Sequence, residues 1–256
     1  MHRMPLPSPR RQSGIALFVV IVFVLLSMLL ALWASRTALF SEMVVGNDAD
    51  YQRAFEAAQS LLQDAELDIR GENADGSTCT KSSGQGDVCR DTTIDKIPLE
   101  PKEVGQLLSE LSSQTTQCRN GLCAKRAGRQ DFWNYTGSTS PAPTNLQSGE
   151  VPLEQMTTNG IGARYGQYTG ATTNSNSNPI LADRSADNLG GWYWIEMLPY
   201  DEGSKNSNVI VGGATNLLPL NMTPNVVYRI TALAYGRKPS TMVVLQQTYA
   251  RQVAKD

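Results

Sequence analysis

The sequence predicts an α+β protein, in which a long N-terminal helix lays its second half on a C-terminal antiparallel sheet. From Ile15 to Arg70 the chain has no proline, and its apolar residues recur at helical spacing after an uninterrupted apolar start. From Trp192 onward, segments rich in aromatic and β-branched residues alternate with turns, as in antiparallel sheets. The apolar stripe of the helix needs a surface to cover it, and the sheet supplies one.

The first half of this helix is apolar on every side. The run from Ile15 to Ala34, IALFVVIVFVLLSMLLALWA, has no charge, proline or glycine. At ~1.5 Å per residue it spans ~30 Å, the thickness of a bilayer core. Ordinary secretory signals have an apolar region of about 7–15 residues followed by a small-residue cleavage site, which is missing here. We therefore predict a transmembrane helix over residues 15–35.

A polar leader, residues 1–14, precedes the apolar run and ends on Gly14. It contains Arg3, Arg10 and Arg11 but no acidic residue. Since basic residues flank the cytoplasmic side of membrane helices, we expect the N-terminus in the cytoplasm and the C-terminal domain in the periplasm. Removal of the leader would change the net charge from -2 to -5, which gives no sign of nucleic-acid binding.

Residues 36–71 continue the helix as an amphipathic segment, and Gly71 stands where a C-terminal cap is expected. Its predicted inward stripe is Tyr51, Phe55, Ala58, Leu62, Ala65 and Ile69. The predicted solvent face is Gln52, Arg53, Glu56, Gln59, Gln63 and Asp64. We interpret the alternating acids Asp64, Glu66 and Asp68 as part of the solvated surface rather than as a calcium site.

Both ends of the chain resemble PilX-type minor pilins of the type IV pilus. At the N-terminal end the resemblance covers the Gly14–Ile15 junction, the Arg-Thr-Ala-Leu patch 36–39, the Gly46-Asn47 step and the block Ala-Phe-Glu-Ala-Ala at 54–58. At the C-terminal end it covers YRITALAYGRKPSTMVVLQQTYARQ. Together these segments make up about 80 residues, and the middle of the chain resembles no family that we can name.

The resemblance implies how the chain is processed and where it goes. A prepilin peptidase would cut between Gly14 and Ile15, and the new amine of Ile15 would be methylated. The exposed helix would then leave the inner membrane and pack among the helices of other minor pilins and the major pilin, through Phe18, Val19, Val22 and Leu26. A tip adhesin is a further implied partner, and the pilus tip is the expected destination. The alternative is a single-pass, membrane-anchored periplasmic binding or adhesion module that keeps its leader.

Residues 72–256 are expected to form a globular periplasmic domain. Its cysteines are Cys79, Cys89, Cys118 and Cys123, and an even number in an oxidising compartment indicates two disulfides. We expect local pairing among the three possible connectivities. A zinc site is the alternative, but only the second pair has the spacing of a zinc knuckle.

The middle of this domain gives weaker signals. Residues 72–90 are polar turn formers, which predicts a loop held by a disulfide. The segment 100–111, EPKEVGQLLSEL, predicts a short amphipathic helix. Residues 136–190 are rich in Ser, Thr, Asn, Gly and Pro, so we expect a flexible surface insertion or, as the alternative, a recognition loop.

Four strands are predicted within residues 192–250 and their immediate surroundings: WYWIEML, NVIVGG, VVYRITALAYG and TMVVLQQTYARQ, the last two joined by the loop 237–240. The aromatic run Trp192, Tyr193 and Trp194 has two interpretations. It is either core on one face of the sheet and cover on the other, which we favour, or a glycan-binding surface.

The sequence contains no arrangement typical of catalysis. The only histidine is His2, inside the leader that we expect to be removed. The glycine pairs at 84 and 86 and at 212 and 213 lack the lysine and the following helix of a phosphate loop. We therefore predict no enzyme activity, no cofactor and no metal ion.

Overall fold

The computed structural model describes residues 13–84, 86–91, 95–98, 101–139, 141, 143–173, 178–199 and 222–252. The chain forms two compact units, Met1–Ala49 and Asp50–Asp256, and the second is called the head unit below. The predicted leader, apart from its last two residues, and the predicted strand NVIVGG lie outside the described residues.

A single helix, α1, runs without a break over Ser13–Arg70. No proline interrupts it, and Gly71 ends it with a left-handed φ of 68°. The Gly71 amide donates to the Asp68 carbonyl and the Glu72 amide to the Leu67 carbonyl, which satisfies two of the last helical carbonyls. The predicted continuous helix is thereby confirmed.

Among its described residues, the head unit is built on one sheet of six strands. They are β1 (Cys118–Arg119), β2 (Leu122–Cys123), β3 (Ala163–Arg164), β4 (Gly191–Pro199), β5 (Met222–Tyr235) and β6 (Met242–Gln252). Their order is β1-β2-β4-β5-β6, with β3 also paired to β4. The long strands β4, β5 and β6 form an antiparallel meander, as predicted, so the α+β class is confirmed.

The sheet also contains a parallel pair at one edge, which was not predicted. There β2 runs parallel to β4, with Leu122 opposite Ile195, and β3 is antiparallel to the start of the same strand. These additions have two residues each, which is too short to leave a periodic pattern in the sequence.

The head-unit part of α1 covers one face of the sheet with small residues. Ala54, Ala57, Ala58, Leu61 and Ala65 are fully buried there. A Cβ placed on Gly191 would lie 2.5 Å from Cδ1 of Leu61, so the backbone of β4 and this helix approach each other closely.

The predicted phase of this helix is therefore partly wrong. Ala58, Leu62, Ala65 and Ile69 are buried as expected, but Tyr51 is 48 % exposed and Phe55 is only half-buried. Asp64, predicted on the solvent face, is 2 % exposed. The inward face is centred on alanines, which carry little weight in a pattern based on large apolar residues.

The opposite face of the sheet has a core of its own. Along β4, Tyr193 and Ile195 point to the α1 side, while Trp192 and Trp194 join a second cluster with Phe132. All three aromatic residues of the run are at most 2 % exposed, so their assignment to the core is confirmed.

The remaining helices are short. The predicted helix at 100–111 appears as α2 (Pro101–Ser112), which buries Val104, Leu107 and Leu111. Single turns follow at α3 (Leu153–Met156) and α4 (Pro179–Ala182).

The expectation of a flexible surface insertion at 136–190 is wrong for most of its described residues. This region supplies β3, α3 and α4 and buries seven apolar side chains: Val151, Leu153, Met156, Ala163, Tyr168, Ile180 and Leu181. Its polar composition misled the prediction because these seven apolar residues, although spread among many polar ones, are used in the core.

We expect Leu61→Ala to lower the free energy of unfolding by about 2–5 kcal/mol, because it removes a fully buried side chain between α1 and β4. Gln59→Ala, an exposed position on the same helix, should change it by less than about 0.5 kcal/mol. Denaturant unfolding of the full chain in detergent, followed by circular dichroism, measures both. Equal effects would contradict the helix phase described above.

Candidate functional site

The N-terminal half of α1 presents an apolar surface on all sides. Ile15 is 71 % exposed, Phe18 68 %, Val19 43 %, Val22 36 % and Leu26 51 %, and the residues between them are also exposed. By length and composition this segment is able to cross a membrane. The predicted packing residues therefore lie on a surface that requires lipid or other helices as cover.

Three hydroxyl groups within this half of the helix are satisfied internally. Ser27 donates to the carbonyl of Phe23, Thr37 to that of Trp33 and Ser41 to that of Thr37, at 2.8–3.0 Å. Such bonds to the preceding turn allow Ser and Thr to sit in an apolar environment without an unpaired donor. The segment thus presents no unpaired hydroxyl donor to its surroundings at these positions.

Gly14 and Ile15 both belong to the first turns of α1. The structure therefore places the junction of leader and apolar run at the beginning of the helix. Cleavage between these residues and methylation of Ile15 remain predictions from the family resemblance.

A buried ion pair ties the C-terminal half of α1 to the rest of the head unit. The Arg90 guanidinium donates to both carboxylate oxygens of Asp68, at 2.7 and 2.8 Å, and to the carbonyl of Asn120 at 2.7 Å. It also lies 3.6 Å from the ring centroid of Tyr168, and the hydroxyl of Tyr193 donates to Asp68 at 3.0 Å. Five separate segments of the chain therefore meet at this ion pair.

Charge and burial act in opposite directions at this pair. Burial alone disfavours the charged guanidinium, but the Asp68 carboxylate more than offsets it and raises the pKa of Arg90. Side chains of Arg90 and Asp68 are 4 % and 2 % exposed. Loss of either partner would leave an uncompensated buried charge, at a cost of about 3–5 kcal/mol.

Asp64, one turn earlier, holds the segment that follows β3. Its carboxylate accepts a bond of 2.7 Å from the Gly166 amide and another from the Thr169 hydroxyl. Burial raises the pKa of Asp64 to about 6, although both hydrogen bonds favour the ionised form. The segment at Gly166 and Thr169 is thus fixed to α1 by a carboxylate whose pKa is raised to about 6.

Asp50 holds the opposite end of the sheet. Its carboxylate accepts the amides of Arg237 and Lys238, each at 3.0 Å, in the turn between β5 and β6. Burial opposes ionisation, but these bonds and one from Thr241 together lower the pKa of Asp50 below its ordinary value. The last hairpin of the chain is therefore joined to the first residue of the head unit.

The inward orientation of Asp50, Asp64 and Asp68 was missed by the sequence analysis. Their spacing places them on the same helix face as Ala54, Ala57 and Leu61. This spacing is the one sequence feature that could have predicted their burial. The expectation that the acids at 64 and 68 are solvated is wrong, since both are buried. Their partners lie 22 to 125 residues further along the chain, where helical periodicity gives no information.

The four cysteines form two disulfides, Cys79–Cys89 and Cys118–Cys123. The first closes the polar loop after α1, and the Cys89 amide donates to the Tyr168 carbonyl at 2.9 Å. The second joins β1 to β2 within the second core cluster. Both bridges thus stiffen short segments that pack against the sheet or against Tyr168.

A second buried arginine lies beside the Cys118–Cys123 bridge. Arg126 packs over the ring of Phe132 at 4.1 Å from the centroid, and its amide donates to Glu196 at 2.7 Å. Burial lowers the pKa of Arg126 to about 10. Glu196 also accepts from Arg229, so this carboxylate balances two arginines on the face of the sheet away from α1.

Within the residues that the structure describes, no three His, Cys, Asp or Glu side chains are grouped as metal ligands. Most buried polar groups in the described part of the head unit are instead engaged with one another, with Oε1 of Gln117 and Nη1 of Arg126 as exceptions. Their arrangement joins segments of the chain, and the apolar half of α1 is a large surface that remains open to partners.

A helix with an exposed apolar N-terminal half, continued by an amphipathic half that packs on an antiparallel meander, defines a pilin-like subunit with a candidate membrane anchor. Two family profiles agree with this class: "PilX N-terminal" matches residues 13–63, and "Type IV pilus assembly protein PilX C-term" matches residues 119–251. The chain belongs to the PilX family of type IV pilus assembly proteins. No curated protein and no solved structure matched the chain.

We expect the Asp64 carboxyl to make the head unit less stable as the pH rises. Its folded-state pKa, about 6, lies above the unfolded value, so its contribution is fully present below about pH 4 and is lost through pH 6. Two pKa units correspond to about 3 kcal/mol. Wild type should therefore lose about this much unfolding free energy between pH 4 and 7 relative to Asp64→Asn, in denaturant titrations at each pH.

The matched control for this measurement is Asp75→Asn, since Asp75 is a solvent-exposed carboxylate in the loop after α1. Asp75→Asn should retain the pH dependence of the wild type between pH 4 and 7. An unchanged pH profile in Asp64→Asn would show that Asp64 titrates well below this range.

Proposed function

We propose that this chain is a minor pilin that acts in type IV pilus assembly at the filament tip, as part of a priming complex. Membership of the PilX family supports the role in pilus assembly. The exposed apolar half of α1 supports insertion first into the inner membrane and then among the helices of other minor pilins and the major pilin. The partners at the tip would include the large tip adhesin that the family resemblance implies.

The position at the tip rests on one residue, Val19. Counted from Ile15, Val19 is the fifth residue of the mature chain, where the pilin family typically has a glutamate. No acidic residue occurs between Gly14 and Ser41. This chain therefore lacks the carboxylate with which a pilin helix would meet the N-terminal amine of a subunit above it.

The free-energy cost of burying that carboxylate in hydrocarbon explains why its absence is favourable in the subunit at the tip. A carboxylate in hydrocarbon costs several kcal/mol unless it is paired. A shaft subunit finds its partner in the subunit above, whereas a tip subunit has no subunit there. Valine at this position avoids an unpaired charge. It therefore suits the filament tip, where no N-terminal amine of another subunit is available as a partner.

Processing is the first test of the proposal. We expect the protein isolated from native membranes to begin at Ile15 with a methylated amine, as measured by intact-mass analysis. Gly14→Glu should leave the precursor uncut. Gln12→Glu adds the same charge two residues upstream without changing the junction, and it should be processed normally.

An assembled chain that begins upstream of Gly14 would contradict this prediction. An uncut chain that stays in the membrane and never appears in sheared pili would favour the anchored periplasmic module instead.

The Val19→Glu variant tests the position in the filament. At the tip the new carboxylate has no amine to pair with, so we expect no increase in copies per pilus and no increase in piliation. Val20→Glu is the matched control, because it places the same charge on the adjacent, also exposed position of α1. Quantitative immunoblots of sheared pili measure copy number, and immunogold labelling measures position.

A shaft subunit would behave differently. Val19→Glu, but not Val20→Glu, would then raise the copy number, and gold particles would be spread along the filament. Either result would overturn the placement at the tip.

A further inference from the structure

A cavity of about 250 Å³ opens in the head unit at the C-terminal end of α1. Its walls are residues 68–72 at the end of that helix, Thr78 and Cys79 of the disulfide loop, and Arg90, Lys96 and Ile97. Tyr168 and Arg251, on β6, complete the lining. Neither the family assignment nor the proposed function uses this cavity.

The lining has more positive than negative charge. Arg70, Arg90, Lys96 and Arg251 face two carboxylates, those of Asp68 and Glu72. Asp68 is engaged by Arg90, and Glu72 accepts from Nε of Arg70 at 2.7 Å. Once these two ion pairs are set aside, two cations are left over.

The two remaining cations are Lys96 and Arg251. Neither side chain forms a hydrogen bond or an ion pair with another residue in the described part of the chain. Lys96 is exposed and Arg251 half-buried, so both are accessible from solution. Positive side chains on the wall of a concave site raise the positive electrostatic potential inside it.

We propose that this cavity binds a carboxylate group through Arg251 and Lys96. A guanidinium offers two parallel N–H donors that match the two oxygens of a carboxylate, and an ammonium adds a third donor. The carboxylates of Asp68 and Glu72 lie in the same wall and repel further negative charge. They therefore disfavour a phosphate dianion, whose two charges lie on one group, relative to a carboxylate group, which carries one charge.

The carboxylate has two possible sources with the same chemistry. It is either a free small dicarboxylate or an acidic side chain of a neighbouring protein, and the second source rests on the proposed function in the pilus. Binding to the purified chain is independent of pilus assembly, so failure of this proposal and failure of the proposed function are distinguishable.

Equilibrium dialysis of the full chain in detergent against radiolabelled succinate tests the site, with the ionic strength held constant by sodium chloride. We expect one saturable site in the wild type. Lys96→Gln with Arg251→Gln should weaken binding about tenfold, the sum of two partly exposed charge contacts. Lys125→Gln with Arg237→Gln removes two exposed cations elsewhere in the head unit and should leave binding unchanged.

Competition distinguishes the ligand classes. Inorganic phosphate should displace succinate only at higher concentration than succinate itself requires. Displacement by acetyl-Glu-Gly-Glu-amide, but not by acetyl-Gln-Gly-Gln-amide, would assign the carboxylate to a protein side chain. Failure of both peptides would assign it to a free dicarboxylate.

Three results would overturn the proposal. The first is the absence of saturable succinate binding in the wild type. The second is an equal loss of succinate affinity in the Lys96/Arg251 and the Lys125/Arg237 double variants. The third is displacement of succinate by phosphate at concentrations equal to or below those of succinate. Unfolding curves of both double variants exclude loss of fold as the cause. Lys96→Arg with Arg251→Lys keeps the charges and should retain binding.

Discussion

The bidentate contact between Asp68 and Arg90 is the interaction on which the head unit depends. It joins the last turns of α1, the segment after the first disulfide, the β1–β2 turn through Asn120 and strand β4 through Tyr193. Buried charges are stable only when every partner is in place. The pair therefore fixes the segment at Arg90 and the β1–β2 turn to α1 and β4.

The sequence was sufficient for those elements whose pattern repeats over many residues. Helix α1, helix α2 and the strands β4, β5 and β6 all follow from periodicity, and the apolar half of α1 follows from composition. Strands β1 to β3 could not be predicted, because two residues that pair with a distant strand leave no local pattern. The segment 136–190 was misjudged for a related reason, since its order comes from partners such as Asp64 that lie far away in sequence.

The candidate site also has one part that the sequence predicted and one part that it did not. Its apolar surface, from Ile15 onward, could be identified because nearly every residue of the run is apolar and the pattern does not depend on distant partners. The carboxylates Asp50, Asp64 and Asp68 could not, because an acid on a helix is usually solvated and only its partners show otherwise. Residues 15–35 of the helix are free of charge, whereas three aspartates of its head-unit part, Asp50, Asp64 and Asp68, are buried.

The contact of Asp50 with the β5–β6 turn has a consequence for biosynthesis. Asp50 and its two partners are 187 and 188 residues apart in the sequence, and the sheet that covers α1 consists mainly of β4, β5 and β6. During synthesis, the amphipathic half of α1 therefore emerges long before any surface is available to cover it. The head unit completes its fold only after nearly the whole chain has been made, since contacts of such long range close last. Until then the alanine face of α1 has no sheet to cover it and is accessible to proteases and chaperones.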